Sequence, residues 1–204
     1  MAGRFISFEG GEGSGKSTQA RLLADSLRSR GYSVVLTREP GGTAGAEAIR
    51  ALLVTGDTDR WTPWSEACLV NAARADHVAR VIRPALARGE WVICDRFVDS
   101  TRAYQGAGKG IADAELCAMH RMVTDDLWPD LTLVLTVNSG LGLARAGARG
   151  DTEDRFEGHD GAFHERVTGF FAALGRNEPN RCRTFNADQS IETLAAAILA
   201  EVLP

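Results

Sequence analysis

Apolar positions along this chain recur in two alternating rhythms: short runs that read as strands, and longer runs spaced for one face of a helix. Residues 4–9 (RFISFE) set Phe5 apart from the Ile6 and Phe8 pair and run straight into glycines, which predicts a short buried strand ending in a turn. Over 16–30, Ala20, Leu22, Leu23 and Leu27 fall opposite Arg21, Asp25 and Arg28, an amphipathic helix stopped at Gly31. The alternation continues with a strand at 33–37 (SVVLT), helices near 45–54 and 65–88, and a strand at 91–94 (WVIC). Helix is predicted again near 100–105 and 113–124, followed by a strand at 131–137 (LTLVLTV). A polar stretch rich in Arg and Gly over 145–161 precedes a helix near 162–174, a strand at 183–186 and a last helix. That helix carries Ile191, Leu194, Ala195, Ile198, Leu199 and Val202 on one face. Repeated alternation of strands and helices, with near-continuous apolar strands such as 131–137, predicts a parallel sheet covered on both faces, an α/β fold of three layers around five strands. No repeat or linker divides residues 1–204, so a single domain is expected.

Composition narrows the function classes. The chain is 44% hydrophobic and 25% charged, which fits a globular protein and gives no case for disorder or a membrane-embedded chain. At this length folding buries about 70% of the unfolded surface, so a core forms without disulfide or metal staples. A net charge of -4 lacks the basic excess of a duplex-binding surface, so nucleic acid is not the expected partner. Cys68, Cys94, Cys117 and Cys182 form no CxxC pair and no secretory pattern opens the chain, which together predict a reduced, cytoplasmic protein. Nearly all the positive charge is arginine, with lysine at positions 16 and 109 alone. A lysine kept at position 16 therefore points to a need for a compact point charge on a thin stem.

That lysine closes a glycine-rich segment, Gly10-Gly11-Glu12-Gly13-Ser14-Gly15-Lys16-Ser17, which satisfies GxxxxGK[ST] directly after a strand and at the start of a helix. Glycines let successive N–H groups converge on a phosphate, and the helix N-terminus adds the positive end of its dipole. Lys16 is expected to reach the β- and γ-phosphates of a nucleotide and Ser17 to hold Mg²⁺. No Asn-Lys-x-Asp motif reads guanine and no Asp is followed three residues later by Gly, which argues against a GTPase.

Cys94-Asp95-Arg96-Phe97 closes the WVIC strand at the carboxyl edge, where open parallel sheets bind ligands. Asp95 there can accept from Mg²⁺-bound water, and Arg96 can bridge donor and acceptor phosphates. Arg38, Arg50 and Arg74 stand at element ends or on helix faces. Singly each reads as a solvated charge, but joining two anionic phosphates needs several fixed cations near the transfer point. Arg145, Arg149 and Arg155 among Gly147, Gly150 and Asp151 read as a mobile lid bringing cations to a cradle that has no arginine of its own. A charged loop without catalytic duty is the plainer alternative. His159 and His164 lack HExxH spacing and are expected to be structural or solvated.

Taken together these segments resemble the thymidylate kinases, P-loop nucleoside monophosphate kinases, over essentially the whole chain: FEGGEGSGKSTQ, TREPGGT, AARADH, DRFVDSTRAYQG with GKGI, PDLTLVLTV, and a lid ending in DRFE. An arginine-free cradle with an arginine-bearing lid is similar to the bacterial type. The resemblance implies a P-loop kinase fold with a lid over about 145–161, ATP as donor, dTMP as acceptor, Mg²⁺ as cofactor and a homodimer formed through the 65–88 helix. It implies that residues 10–18, ending in Thr18, bind ATP, with Asn186 and Ala187 against the adenine and Arg145 and Arg149 closing on the phosphates. Arg38 and Arg96 would hold the acceptor phosphate, Arg74 and Thr101 would bond the thymine edge, and Arg50 and Gln105 would line the same pocket. Tyr104 would crowd the sugar 2′ position and Glu12 would sit near the 3′-OH. Two positions depart from the family pattern. Val70 stands where a phenylalanine usually stacks on the base, leaving Phe97 or a tryptophan to compensate, and Gly147 stands where some relatives carry another lid arginine.

A phosphomonoester with a second pKa of about 6 is already anionic at pH 7, so the expected in-line transfer needs no general base. Asp95 is accordingly assigned to Mg²⁺-water and to orienting Arg96, and catalysis to positioning and charge neutralisation. A kinase of another nucleotide, or a regulatory ATPase whose arginines bind a protein, are the alternatives.

Overall fold

The computed structural model describes residues 3–138, 140, 142 and 155–203. Strands β1 (Phe5–Glu9), β2 (Val34–Arg38), β3 (Trp91–Asp95), β4 (Leu131–Thr136) and β5 (Cys182–Asn186) form one all-parallel sheet in the order β2-β3-β1-β4-β5. The predicted split of strand β1 between two faces holds. Ile6 and Phe8 pack with Leu23 and Leu27 of α1 (Lys16–Arg28) and with Leu194 and Ile198 of α8 (Ile191–Val202). Phe5 points the other way, among Val92, Cys94, Ile82 and Phe97, with its ring edge-on to Phe97 at 4.8 Å. On that same face Val134 meets Phe163, Val167 and Phe171 of α7 (Gly161–Asn177).

Register fixes where function can sit. Phe8 pairs with Asp95, Arg38 with Asp95, Glu9 with Val134 and Thr136 with Asn186, so the five carboxyl ends meet at one edge. Helices α2 (Ala44–Val54), α3 (Pro63–His77), α7 and α8 start on side-chain caps from Thr43, Thr62, Asp160 and Ser190. By contrast α1 starts at Gly15 in the left-handed conformation with no side-chain cap, so its first N–H groups face the edge with no side-chain acceptor.

Two predicted helices differ in detail. The 65–88 run begins earlier, with Pro63 in the first turn, and changes to a π-helical turn at Val78–Ile82 before α4 (Arg83–Ala87). Pro84 has no N–H to return to Arg80, and the wider turn accommodates the missing bond. The 100–105 helix is instead a short α5 (Val98–Thr101) running into a π-helical segment, Arg102–Gly108. Tertiary bonds hold the irregular form. Arg102 pairs with Asp99, Asp113 and Glu178 at 2.8, 2.7 and 2.6 Å, while Arg166 donates to the carbonyls of Ala107 and Gly108. The result buries Arg102, Tyr104 and Gln105 together, ahead of α6 (Asp113–Thr124).

Candidate active site

The predicted cradle follows β1. Gly10 has φ +143°, and a Cβ there would lie 2.2 Å from the Leu135 carbonyl oxygen, so no other residue fits. Buried Lys16 donates from Nζ to the Gly11 carbonyl at 2.7 Å and to Ser14 Oγ at 3.2 Å. Burial, with repulsion from Arg96, lowers its ammonium to about 8 against the pull of Glu12, Asp95 and Glu9. Thr18 lies in the first turn of α1, and Asn186 and Ala187 stand at the end of β5, where the Ala187 amide bonds the Thr136 carbonyl at 2.8 Å.

Ser17 Oγ donates to Asp95 Oδ2, which brings together the two residues assigned to Mg²⁺. The other Asp95 oxygen, Oδ1, is buried and has no hydrogen-bond partner among the described residues. An orphaned carboxylate oxygen beside a hydroxyl at the cradle is a hard-oxygen donor set, and it fits Mg²⁺ and its water shell.

Arg96 occupies a left-handed backbone conformation, φ 69°, rare for a residue with a side chain. The turn is held from beneath by Glu9, a residue the sequence reading did not single out. Its carboxyl accepts from the Phe97 amide at 2.7 Å and Ser100 Oγ at 2.6 Å, and burial together with Asp99 raises it to about 7. So aimed, the guanidinium bonds the Gly10 carbonyl at 3.1 Å, Glu12 at 2.9 Å and the Tyr104 hydroxyl at 3.2 Å. Tyr104 donates in turn to Glu12 at 2.6 Å.

Beyond Arg96 opens a cavity. Arg50, Val70, Arg74, Thr101, Tyr104 and Gln105 all line it, with Glu12 and Arg96 at its boundary with the cradle. Arg74 is buried and donates from Nη2 to Thr101 at 2.9 Å, Gln105 donates to Glu66 at 2.8 Å, and Arg50 donates to the Pro40 carbonyl at 2.9 Å. Apolar walls come from Val54, Val70, Phe97 and Phe156. Phe97 is fully buried behind this wall with the Arg74 guanidinium over its ring at 5.0 Å, and no tryptophan lines the cavity. Trp61 donates to the Leu52 carbonyl and Trp64 is exposed. Phe156, edge-on to Tyr104 at 5.5 Å, escaped the sequence reading because it sits inside the polar stretch.

Arg38 stands outside this cavity; it is half exposed, pairs with Glu47 at 3.0 Å and shares a neighbouring open cleft with Ser17 and Asp95. One expectation needs correcting. Arg155 is no lid cation. It is fully buried, donating to the carbonyls of Leu53, Asp57 and Thr58 and pairing with buried Glu66, because its partners lie about a hundred residues earlier in the chain. Arg145 and Arg149 lie outside the described residues. His159 stacks on Phe163 at 4.1 Å and His164 bonds the Glu157 carbonyl, so both pack as structural rings.

The sequence pattern of one family, "Thymidylate kinase", matches residues 8–198. The chain is 54% identical over 196 residues to a thymidylate kinase of Caulobacter vibrioides, spanning 96% of this chain and 94% of that one. It is 50% identical to one of Rhizorhabdus wittichii over the full length of both. A crystal structure of thymidylate kinase from Ehrlichia chaffeensis superposes with a TM-score of 0.79 at 34% identity, covering all of both chains. With a helix N-terminus open for phosphate, a second cavity sharing Arg96 with it, and these matches along the whole chain, the protein belongs to the thymidylate kinase family.

Proposed function

We propose that this chain transfers the γ-phosphoryl group of Mg·ATP to the 5′-phosphate of dTMP, giving dTDP and ADP. The observation that carries this reading is that the phosphate cradle and the base-sized cavity meet at the same two side chains, Arg96 and Glu12. A donor on the cradle and an acceptor in the cavity would face each other across one guanidinium, the arrangement an in-line transfer between two anions requires.

Lys16 and the uncapped amides of α1 take the donor phosphates, with Ser17 and Thr18 beyond them, and Asn186 and Ala187 lie on the adenine side. Arg96 neutralises the acceptor phosphate, with Arg38 joining from its cleft. Arg74, Thr101 and Gln105 bond the base edge, Phe156 covers one face, Tyr104 crowds the 2′ position and Glu12 receives the 3′-OH. Ser17 and Asp95 would hold Mg²⁺ through oxygen and water. When bound, the ion supplies charge neutralisation on the donor phosphates. Arg145 and Arg149, within a lid over about 145–161 of a single kinase domain, supply the remaining cations. An arginine brought in this way is worth about 10³–10⁵ in rate.

The chain acts as a homodimer through the 65–88 helical run, from α3 through the π-helical turn to α4, whose outer face exposes Cys68, Ala72 and Ala79. Four free thiols suit a reducing, cytoplasmic setting, and no helix among the described residues is long and apolar enough to cross a membrane.

The test is a coupled ADP-release assay with Mg²⁺ and dTMP, dUMP, UMP, CMP, GMP or no acceptor, with Lys16→Ala as blank. Selective turnover of dTMP supports the reading. Preference for another monophosphate overturns the acceptor, and acceptor-independent hydrolysis overturns the kinase. Sedimentation at micromolar concentration showing monomer alone overturns the dimer.

A further inference from the structure

We infer that His77 is a positioning residue for the acceptor site, acting on Arg74 through Glu39. The inference rests on the proposed role of Arg74 at the base edge and adds a residue to it. His77 ends α3 and is completely buried, facing away from the cavity. Its Nδ1 lies 2.9 Å from Glu39 Oε1, and its Nε2 lies 2.7 Å from Thr37 Oγ1. The second Glu39 oxygen, Oε2, accepts from Arg74 Nε at 2.8 Å, and the far end of the Arg74 guanidinium reaches Thr101. Thr37, His77, Glu39, Arg74 and Thr101 therefore form one continuous hydrogen-bonded chain from the edge strand β2 to the cavity wall.

Chemistry fixes the direction of the bonds. Burial works to raise the Glu39 carboxyl, but Arg74 and His77 outweigh it and hold the group below its ordinary value. Glu39 is thus an ionised acceptor, and the proton it meets sits on His77 Nδ1. In the neutral ring Nε2 then accepts from the Thr37 hydroxyl. A buried carboxylate with one donor would be free to turn about its terminal bond, carrying the arginine with it. With a donor on each oxygen its plane is set, and so is the plane of the guanidinium. Packing reinforces this: Gly42 has φ +86°, and a Cβ there would lie 2.5 Å from His77 Nε2 and 2.7 Å from Thr37 Oγ1. The TREPGGT loop is closed directly against the imidazole.

Two substitutions separate positioning from simple packing. The amide nitrogen of Asn falls near the Nδ1 position, so His77→Asn keeps a donor for Glu39. His77→Gln places its amide near Nε2 and leaves Glu39 one donor short. Steady-state kinetics should show His77→Gln with KM for dTMP raised roughly tenfold or more, as expected for losing a bond to a charged group, and KM for ATP within about twofold. His77→Asn should recover most of that loss. Equal effects of the two variants, or parallel changes in both KM values, would overturn the inference while leaving wild-type dTMP turnover, and hence the proposed function, intact. A measurement on the unmodified protein does not depend on the variants folding. Two-bond ¹H–¹⁵N spectra should show His77 with a proton on Nδ1, directed at Glu39. A proton on Nε2 with a bare Nδ1 would overturn it.

Discussion

Arg155 and Glu66 form an ion pair at 2.5 Å in which both side chains are completely withdrawn from water. Nη2, which makes that pair, also donates to the Thr58 carbonyl, Nε and Nη1 donate to those of Asp57 and Leu53 around the end of α2, and the carboxylate also accepts from Gln105 and Lys109. The root of the proposed lid is thereby fastened to the cavity wall through Gln105. Removing one partner of a buried pair costs about 3–5 kcal/mol, chiefly because the other charge is left unpaired. Arg155→Ala should therefore lower the unfolding free energy by about that amount in urea titration, and Glu66→Ala on top should cost less than its effect alone.

Phe156, held in place by that neighbour, should act on the acceptor and not on ATP. Stacking on an aromatic ring is worth about 1–3 kcal/mol per base, which corresponds to about 5- to 150-fold in affinity. Phe156→Ala should raise KM for dTMP within that range, with Phe156→Tyr close to wild type. An unchanged KM would remove Phe156 from the base site.

Lys16 gives a pH dependence with a definite sign. Its ammonium is lowered to about 8, so it is charged below that pH and neutral above it. Only the charged form attracts phosphate, so kcat/KM for ATP should be level below about 8 and fall above it. Bound phosphate favours the charged form, and the corresponding limb in kcat at saturating ATP should lie at higher pH. Lys16→Arg should lack the limb.

Glu9 sets the opposite window in stability. The carboxyl titrates near 4.5 when unfolded and near 7 when folded, so the native state holds the extra proton in between. Stability from this group is fully present below about 4.5 and is lost as pH rises through about 7. Melting temperatures of Glu9→Gln, which has no charge to bury, should decline less over that interval than those of the wild type.

What could be seen in advance follows from where each partner lies in the chain. The Phe5 against Ile6 and Phe8 split and the GGEGSGKS turn were legible because period and loop chemistry are local. Arg74, Thr101 and Gln105 were placed in one pocket by resemblance, and the cavity does bring them together. Glu39, Glu66 and His77 gave no signal, since each is defined by a partner more than thirty residues away. Arg155 differs from its expected role for the same reason: its neighbours in sequence are polar, whereas its neighbours in space are three carbonyls and a buried acid. The π-helical turns were likewise invisible to a 3.6-residue period.

The left-handed backbone of Arg96 is strain held in place by charge. A non-glycine residue there gives up about 1–3 kcal/mol, and a glycine would recover part of it. Yet glycine would remove the cation that, among the described residues, cradle and cavity share, together with its bonds to Gly10, Ser100, Glu12 and Tyr104. Losing the ion pair with Glu12 offsets the relieved strain, so a search for more heat-resistant variants, run without an activity screen, should pass Arg96→Gly by.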